Sequence, residues 1–133
     1  MAIQFSESVR NATLDTIETE IGTSPSLEIR TGPRPANCAA ADTGTVLATL
    51  LLPSDWMADA SGGVKELTGT WEDAMADATG VAGHFRLRQG ATCHIQGSVT
   101  ITGGGGDMTL DNTSIAVDQQ VTITSFTITA GGA

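Results

Sequence analysis

The amino-acid sequence predicts a mainly β protein, an antiparallel β-sandwich or jelly-roll-like module with a short N-terminal helix. Three observations support this fold class. Residues 92–102 alternate strictly between apolar and polar side chains, which is typical of a half-buried antiparallel strand. About six to eight short strand-like runs follow one another along the chain, separated by turn residues. Charged residues make up only 16 % of the chain, which fits a threonine-coated β-module better than a helical enzyme.

One convincing helix is predicted, from Ser6 to Ile21. Its apolar residues form a loose stripe, Ser6 is a suitable N-cap, and Gly22 is a suitable residue just beyond the last turn. We therefore divide the chain into an N-terminal amphipathic helix or arm, residues 1–22, and a β-sandwich domain, residues 23–133. The sequence leaves open whether the helix packs on that domain or extends to a neighbouring subunit.

Three further segments are interpreted from their hydrophobic patterns. Residues 27–31 are predicted to form a short strand. Residues 46–52 are apolar on both faces, which favours a central strand that is covered on both sides. In residues 121–130 the apolar positions change parity at Thr124–Ser125, and a β-bulge is the simplest device that changes the face of a strand.

A hairpin is predicted near the middle of the chain. Residues 81–88 alternate, with Phe85 and Leu87 facing inward and the residues between them facing outward. A turn at Gln89–Gly90 joins this strand to the strand at residues 92–102.

Composition limits the partners that the protein can have. The formal net charge is −9, which repels a phosphate backbone and argues against nucleic-acid binding. No apolar run approaches the ~20 residues that a transmembrane helix needs. The N-terminus lacks the basic and apolar segments of a secretory signal, so we expect assembly in a cytoplasm and no membrane partner. Cys38 and Cys93 could pair, but a reducing compartment favours thiols.

The sequence offers no convincing reactive centre. Cys38, His84, Cys93 and His94 are the residue types that bind zinc, but strict alternation places Cys93 and His94 on opposite faces. The glycine run at residues 103–106 lacks the lysine and hydroxyl of a phosphate-binding loop. We therefore expect a protein that is not an enzyme and that has no cofactor and no metal.

Several residues are instead candidates for an interface. Trp71 is interpreted as a core residue, whereas Trp56 could equally line the core or an exposed interface. Arg86 and Arg88, with His84 on the same outward face, would form a small basic patch that suits an acidic partner, with a solvated strand face as the alternative. The complete set of interface candidates is Phe5, Val9, Arg10, Trp56, His84, Arg86, Arg88 and His94.

Some stretches of the chain are distinctive. They are residues 1–6 (MAIQFS), 9–12 (VRNA), 32–40 (GPRPANCAA), 52–57 (LPSDWM), 92–97 (TCHIQG) and 106–113 (GDMTLDNT). Together they resemble a family of small proteins that are encoded among the virion genes of tailed bacteriophages and prophages. The resemblance spans nearly the whole chain, and it implies a non-enzymatic virion component.

The resemblance leads to two functional hypotheses. The first is a capsid decoration or cement protein on the virion surface, which binds the outer head lattice and stabilises it through contacts between subunits. Its partners would be the major capsid protein and copies of itself, as a dimer or trimer. The alternative is a tail- or fibre-associated module that binds host glycans, with Trp56 and the glycine loop exposed.

Overall fold

The computed structural model describes residues 3–133 and confirms the predicted fold class. It is mainly β, with 40 % of residues in strands and 11 % in helix, and it forms a β-sandwich-like module with one short N-terminal helix. Along the chain the elements are α1 (Glu7–Ile21), β1 (Ser26–Thr31), β2 (Val46–Leu51), β3 (Val64–Glu66), β4 (Trp71–Asp73), β5 (Gly80–Gln89), β6 (Thr92–Ile101), β7 (Met108–Leu110), β8 (Ser114–Ile115), β9 (Val121–Ile123) and β10 (Thr127–Thr129).

The strands form one main sheet and two small ones. The main sheet has the order β2–β1–β5–β6–β7, and β8 pairs with β5. The small sheets are the pairs β3–β10 and β4–β9. All pairings among the described residues are antiparallel except β6–β7, which is parallel. The predicted hairpin is confirmed, because β5 and β6 pair directly on either side of a turn at Gly90 and Ala91.

The predicted helix is also confirmed, together with its caps. The Ser6 hydroxyl accepts a hydrogen bond from the Val9 N–H, and the N–H of Gly22 donates to the Glu18 carbonyl at the other end. Leu14 and Ile21 are buried. The helix lies against β3, so within this chain it packs on the β-domain.

A buried lysine holds the helix in place. The side chain of Lys65, in β3, is only 1 % exposed, and its Nζ lies 2.8 Å from Asp15 Oδ1 and 2.8 Å from Glu18 Oε1. The same ammonium donates to the carbonyl of Ala58. Its hydrogen bond to Asp15 holds the pKa of that carboxyl below its ordinary value. Burial lowers the pKa of Lys65, but the hydrogen bonds and charges of the two carboxylates together raise it above its ordinary value.

The expectation that residues 46–52 form a central strand is wrong. β2 is the edge strand of the main sheet, and only β1 pairs with it in the described part of the chain. The last residue of β4 and the segment after it bind its free edge instead of another strand. Asp73 Oδ2 accepts the Thr49 N–H at 2.9 Å, and the Asp77 N–H donates to the Leu47 carbonyl at 2.7 Å. These contacts satisfy backbone groups at the middle of the edge, where they compete with pairing to another strand.

The change of face near Thr124 is not a β-bulge. β9 and β10 pair with different strands in different small sheets, and residues 124–126 connect them. Phe126 is buried in this connection. The parity therefore changes because one strand ends and another begins.

The glycine run brings the chain back onto β6. Only residues 102–107 connect β6 to the parallel strand β7, whereas parallel strands usually need a connection of a dozen or more residues. The Gly106 N–H donates to the Thr100 hydroxyl, and a Cβ on Gly104 or Gly106 would lie only 2.8 Å from that oxygen. The glycines are therefore needed for close approach of the backbone.

An aromatic cluster connects the main sheet to the small sheets. The ring centroids of Trp56 and Trp71 are 6.1 Å apart, and those of Trp71 and Phe126 are 5.7 Å apart. Phe126 then meets Phe85 of β5 edge to face. The interpretation of Trp71 as a core residue is confirmed, since it is fully buried.

The double substitution D15N/E18Q tests the attachment of the helix. It leaves the buried Lys65 ammonium without either counter-charge, so we expect the free energy of unfolding to fall by about 2–3 kcal/mol. Urea unfolding followed by circular dichroism measures the loss.

The same pair makes stability depend on pH. Because pairing lowers the pKa of Asp15, its contribution to the free energy of unfolding is present above about pH 4 and is lost as the pH falls through the lowered pKa. The two proteins should therefore converge in stability in strong acid.

The matched control is E20Q, which removes an exposed carboxylate from the same helix. It should change the free energy of unfolding by less than about 0.5 kcal/mol. Equal stability of D15N/E18Q and the wild type at neutral pH would show that Lys65 does not attach the helix.

Candidate functional site

The main sheet has a polar face opposite its apolar core face. Alternate residues of β5 place His84, Arg86 and Arg88 on this polar face, while Phe85 and Leu87 point into the core. Arg86 is paired across the strands with Glu28 of β1 and, on the other side, with Gln96 of β6. A basic row is thus flanked by polar and acidic side chains.

An irregular segment covers this face. Residues 32–45, which connect β1 to β2, contain no strand or helix, and we call them the covering loop. Gly83 of β5 makes close approach possible at one end, because a side chain there would collide with the backbone of Gly32. His84 Nδ1 lies 2.8 Å from the Gly32 carbonyl oxygen, and Gln96 Nε2 donates to the Pro35 carbonyl at 2.8 Å.

Arg86 supplies the hydrogen bonds that hold the centre of the covering loop. Its side chain is 1 % exposed. Nη2 donates to the carbonyls of Cys38 (2.8 Å) and Asn37 (3.4 Å). Nη1 donates to the Ala40 carbonyl (3.1 Å) and to Asp42 Oδ1 (2.6 Å). One planar guanidinium therefore satisfies three backbone carbonyls and one carboxylate of a segment that has no ladder of its own.

Two more arginines complete an ion-paired cluster with Asp42. Arg88 Nη1 lies 2.5 Å from Asp42 Oδ2 and 3.3 Å from Glu28 Oε1. Arg30 Nη2 lies 3.0 Å from the same Glu28 oxygen and 3.4 Å from Asp42 Oδ2. The hydrogen bond from Arg88, with that from Arg86, holds the pKa of Asp42 below its ordinary value despite partial burial. The cluster has three cations for two anions, and the backbone carbonyls around Arg86 offset the excess.

The two cysteines meet at the edge of this cluster. The register between β5 and β6 shifts between Leu87 and Arg88, so that Arg88 pairs with Cys93. The shift turns Cys93 towards the covering loop, where its Sγ lies 2.9 Å from the Sγ of Cys38. Burial, reinforced by Cys38, raises the pKa of Cys93 to about 11, although Arg86 acts in the opposite direction. The expectation of strict alternation along this strand is therefore wrong at Cys93, because a bulge interrupts it.

The predicted basic patch is not on the surface. His84 and Arg86 are buried, and the side chain of Arg88 is only 16 % exposed. The sequence pattern correctly predicts which side chains of β5 point away from the core. The covering loop, and not solvent, lies over these side chains. Trp56 is also fully buried, and its indole Nε1 donates to the Gly22 carbonyl. His84, Arg86 and Trp56 therefore cannot present an interface on this chain as it is folded.

Other interface candidates are accessible. Phe5 and Val9 are 43 % and 48 % exposed at the start of the helix, while Arg10 and His94 are partly exposed. Phe5 and Arg10 line an open groove of about 450 Å³ between the helix and the C-terminal segment, and the other lining residues are Thr13, Leu14, Thr16, Ile17, Ala130 and Gly131. The structure thus brings three of the eight candidates together and leaves His94 apart, on β6.

Most of the basic residues are used inside the protein. Four of the six Lys and Arg residues and four of the 15 acidic residues belong to the two ion-paired clusters around Lys65 and Asp42. Eleven carboxylates and two cations, Arg10 and Arg34, remain for the rest of the molecule. The accessible surface is consequently acidic, and Arg10 is one of the few positive groups on it.

The described residues contain neither a metal-binding cluster nor a membrane-spanning helix. Within residues 3–133, no group of three or more His, Cys, Asp and Glu side chains is placed to hold a metal ion. The helix in the same range is too short and too polar to cross a membrane.

The substitution R86K tests whether the guanidinium fork holds the covering loop. Lysine keeps the charge but cannot reach three carbonyls and a carboxylate at once, so we expect the free energy of unfolding to fall by about 2–4 kcal/mol. The alanine-rich centre of the loop should also become a substrate for elastase in the native protein, which mass spectrometry of the fragments would detect.

R34K is the matched control, since Arg34 lies exposed in the same loop. It should leave both the free energy of unfolding and the cleavage rate unchanged. If R86K were as stable and as resistant as R34K, Arg86 would not be what holds the loop.

Comparisons of this chain with protein-family models, with curated proteins and with solved structures found no match.

Proposed function

We propose that this protein is a non-enzymatic virion structural protein of a tailed bacteriophage, a capsid decoration or cement protein. It binds the outer surface of the head and stabilises the lattice through many small contacts with the major capsid protein and with copies of itself. The sequence resemblance suggests the setting, and the distribution of charge and exposed apolar side chains supports a binding role.

One observation carries the proposal: exposed apolar side chains lie next to an open groove on an acidic protein. Phe5 and Val9 are about half exposed at the start of α1; Phe5 lines the open groove between α1 and the C-terminal segment, and Val9 directly precedes Arg10, which also lines it. Apolar side chains that remain exposed beside a groove are typical of contact surfaces. Arg10, in the same groove, adds one positive group that can meet a carboxylate of a partner.

This surface is held firmly in place. The Phe5 N–H donates to the Gly132 carbonyl at 2.7 Å, and the Ala130 N–H donates to the Gly63 carbonyl at 3.0 Å. The ion pairs of Lys65 with Asp15 and Glu18 hold the helix against β3. A preformed surface loses little conformational entropy on binding, which favours association even when each contact is small.

The acidic remainder of the surface limits the partner. With eleven carboxylates against two cations outside the internal clusters, copies of the chain repel one another in solution and do not attract nucleic acid. A capsid lattice with neutral or basic surfaces binds many copies at once. The sum of these contacts outweighs the repulsion between the copies. The tail-fibre alternative, in contrast, relied on an exposed Trp56, and that side chain is buried.

Quantitative mass spectrometry of purified virions tests the proposal most simply. A decoration protein should be present in hundreds of copies per particle and should be recovered with tail-free heads. A copy number below a few dozen, or recovery with tails alone, would overturn the proposal.

The double substitution F5S/V9S tests the contact surface. Burying the exposed half of both side chains contributes about 2 kcal/mol to binding, so we expect about thirty-fold weaker binding to heads that lack the protein. Re-addition to such heads, followed by sedimentation and by a heat-release assay of packaged DNA, measures binding and stabilisation together.

The matched control is L51S/I101S, which removes two exposed apolar side chains from the main sheet, outside the groove. It should bind like the wild type, and thermal unfolding should show that both double variants are folded. Equal binding by F5S/V9S and the control would exclude the groove as the contact surface.

A further inference from the structure

Cys38 and Cys93 face each other across the contact between the covering loop and β6. Their Sγ atoms are 2.9 Å apart, although 55 positions separate the residues in the chain. Both cysteines are free and partly exposed. They line an open pocket of about 190 Å³, so a small reagent can reach the two sulfur atoms, whereas the side chain of Arg86 behind them is only 1 % exposed.

We propose that Cys38 and Cys93 are a covalent modification site, which a low-molecular-weight disulfide such as oxidised glutathione converts into an intramolecular disulfide. One cysteine thiolate attacks a sulfur of the reagent and forms a mixed disulfide, and one glutathione leaves as its thiolate. The second cysteine then attacks the protein sulfur of the mixed disulfide, and the second glutathione leaves. Two protein thiols are oxidised and one molecule of oxidised glutathione is reduced to two of glutathione.

The surrounding structure holds both sulfur atoms in position. Arg86 Nη2 donates to the carbonyl of Cys38 itself at 2.8 Å, which fixes that part of the covering loop. The register shift in β6 turns Cys93 towards the loop, and Gln96 binds the Pro35 carbonyl nearby. The second step is therefore intramolecular between groups that already touch, which makes it faster than capture of a second glutathione.

The electrostatics of the pair set the pH dependence of the reaction. Burial and the neighbouring thiol raise the pKa of Cys93 to about 11, so its thiolate is scarce at neutral pH. Arg86 partly offsets this effect because a guanidinium favours a nearby thiolate. Exchange should consequently be slow at neutral pH and faster in mild alkali.

The disulfide would connect the covering loop covalently to the main sheet. It would close a chain loop of 55 positions and so remove conformational entropy from the unfolded state. If the protein is a virion component, as proposed above, the thiols would stay reduced in the host cytoplasm and oxidise after release. The chemistry itself is independent of that function, so either proposal can fail without the other.

The experiment uses the purified full chain, incubated with oxidised glutathione at about pH 8.5, where thiolate is more abundant. Intact-mass spectrometry should show the loss of two hydrogens without an added glutathione, and peptide mapping should find residue 38 joined to residue 93. The oxidised chain should unfold at a temperature roughly 5–15 °C above the reduced chain, and dithiothreitol should reverse the shift.

The single substitutions C38S and C93S are the matched controls. Each leaves one thiol, which should accumulate one glutathione and show no such rise in unfolding temperature. A stable mixed disulfide, a dimer linked between chains, or thiols that react only after urea unfolding would each overturn the proposal in the wild type. The comparison of oxidised with reduced wild type does not depend on the folding of either variant.

Discussion

A buried guanidinium that binds backbone carbonyl oxygens is the interaction on which this structure depends. Arg86 donates to the carbonyls of Asn37, Cys38 and Ala40 and to the carboxylate of Asp42, all in the covering loop. A loop without strand or helix has no regular hydrogen-bond partners for its backbone carbonyls. Buried carbonyls without partners would lower the stability of the fold. The arginine fork therefore allows an irregular segment to cover the part of the sheet face around β5.

A buried cation also attaches the helix to the β-domain, and there the cation is a lysine. Lys65 joins β3 to Asp15 and Glu18 of α1, just as Arg86 joins β5 to the covering loop. The protein thus uses two buried, cation-centred clusters to attach the elements that flank its β-core. Four of its six cations are used in this way together with four carboxylates, so the clusters are neutral overall and the net charge of −9 lies on the rest of the molecule. The acidic surface follows from the composition, since eleven carboxylates and two cations remain outside the clusters.

Local patterns predicted much of the fold. The helix with its Ser6 and Gly22 caps, the β5–β6 hairpin and the burial of Phe85 and Leu87 follow from interactions between residues that are close in sequence. The same patterns could not predict which strand lies at the edge of the sheet. Residues of β4 and of the segment after it, instead of another strand, bind the free edge of β2, which is a contact between distant parts of the chain.

The site was harder to predict for a related reason. Alternation shows which residues share a face but not what covers that face, and the covering loop has no hydrophobic pattern that would announce its burial. One feature of the sequence did indicate burial. Glu28 and Arg30 of β1 can lie beside the basic residues of β5, and such a pairing suggests an ion-paired layer inside the protein. The bulge that turns Cys93 towards Cys38 had no such signal, since the sequence there alternates without a break.

The accessibility of individual arginines tests most directly whether Arg86 is buried beneath the covering loop and holds it. The folded protein would be treated with phenylglyoxal, and the modified positions would be quantified by peptide mapping. Arg34, exposed in the covering loop, should react readily, whereas Arg86 should stay unmodified until urea unfolds the chain. Modification of Arg86 in the native protein at the rate of Arg34 would show that this sheet face is open to solvent and would contradict the central role of the buried guanidinium.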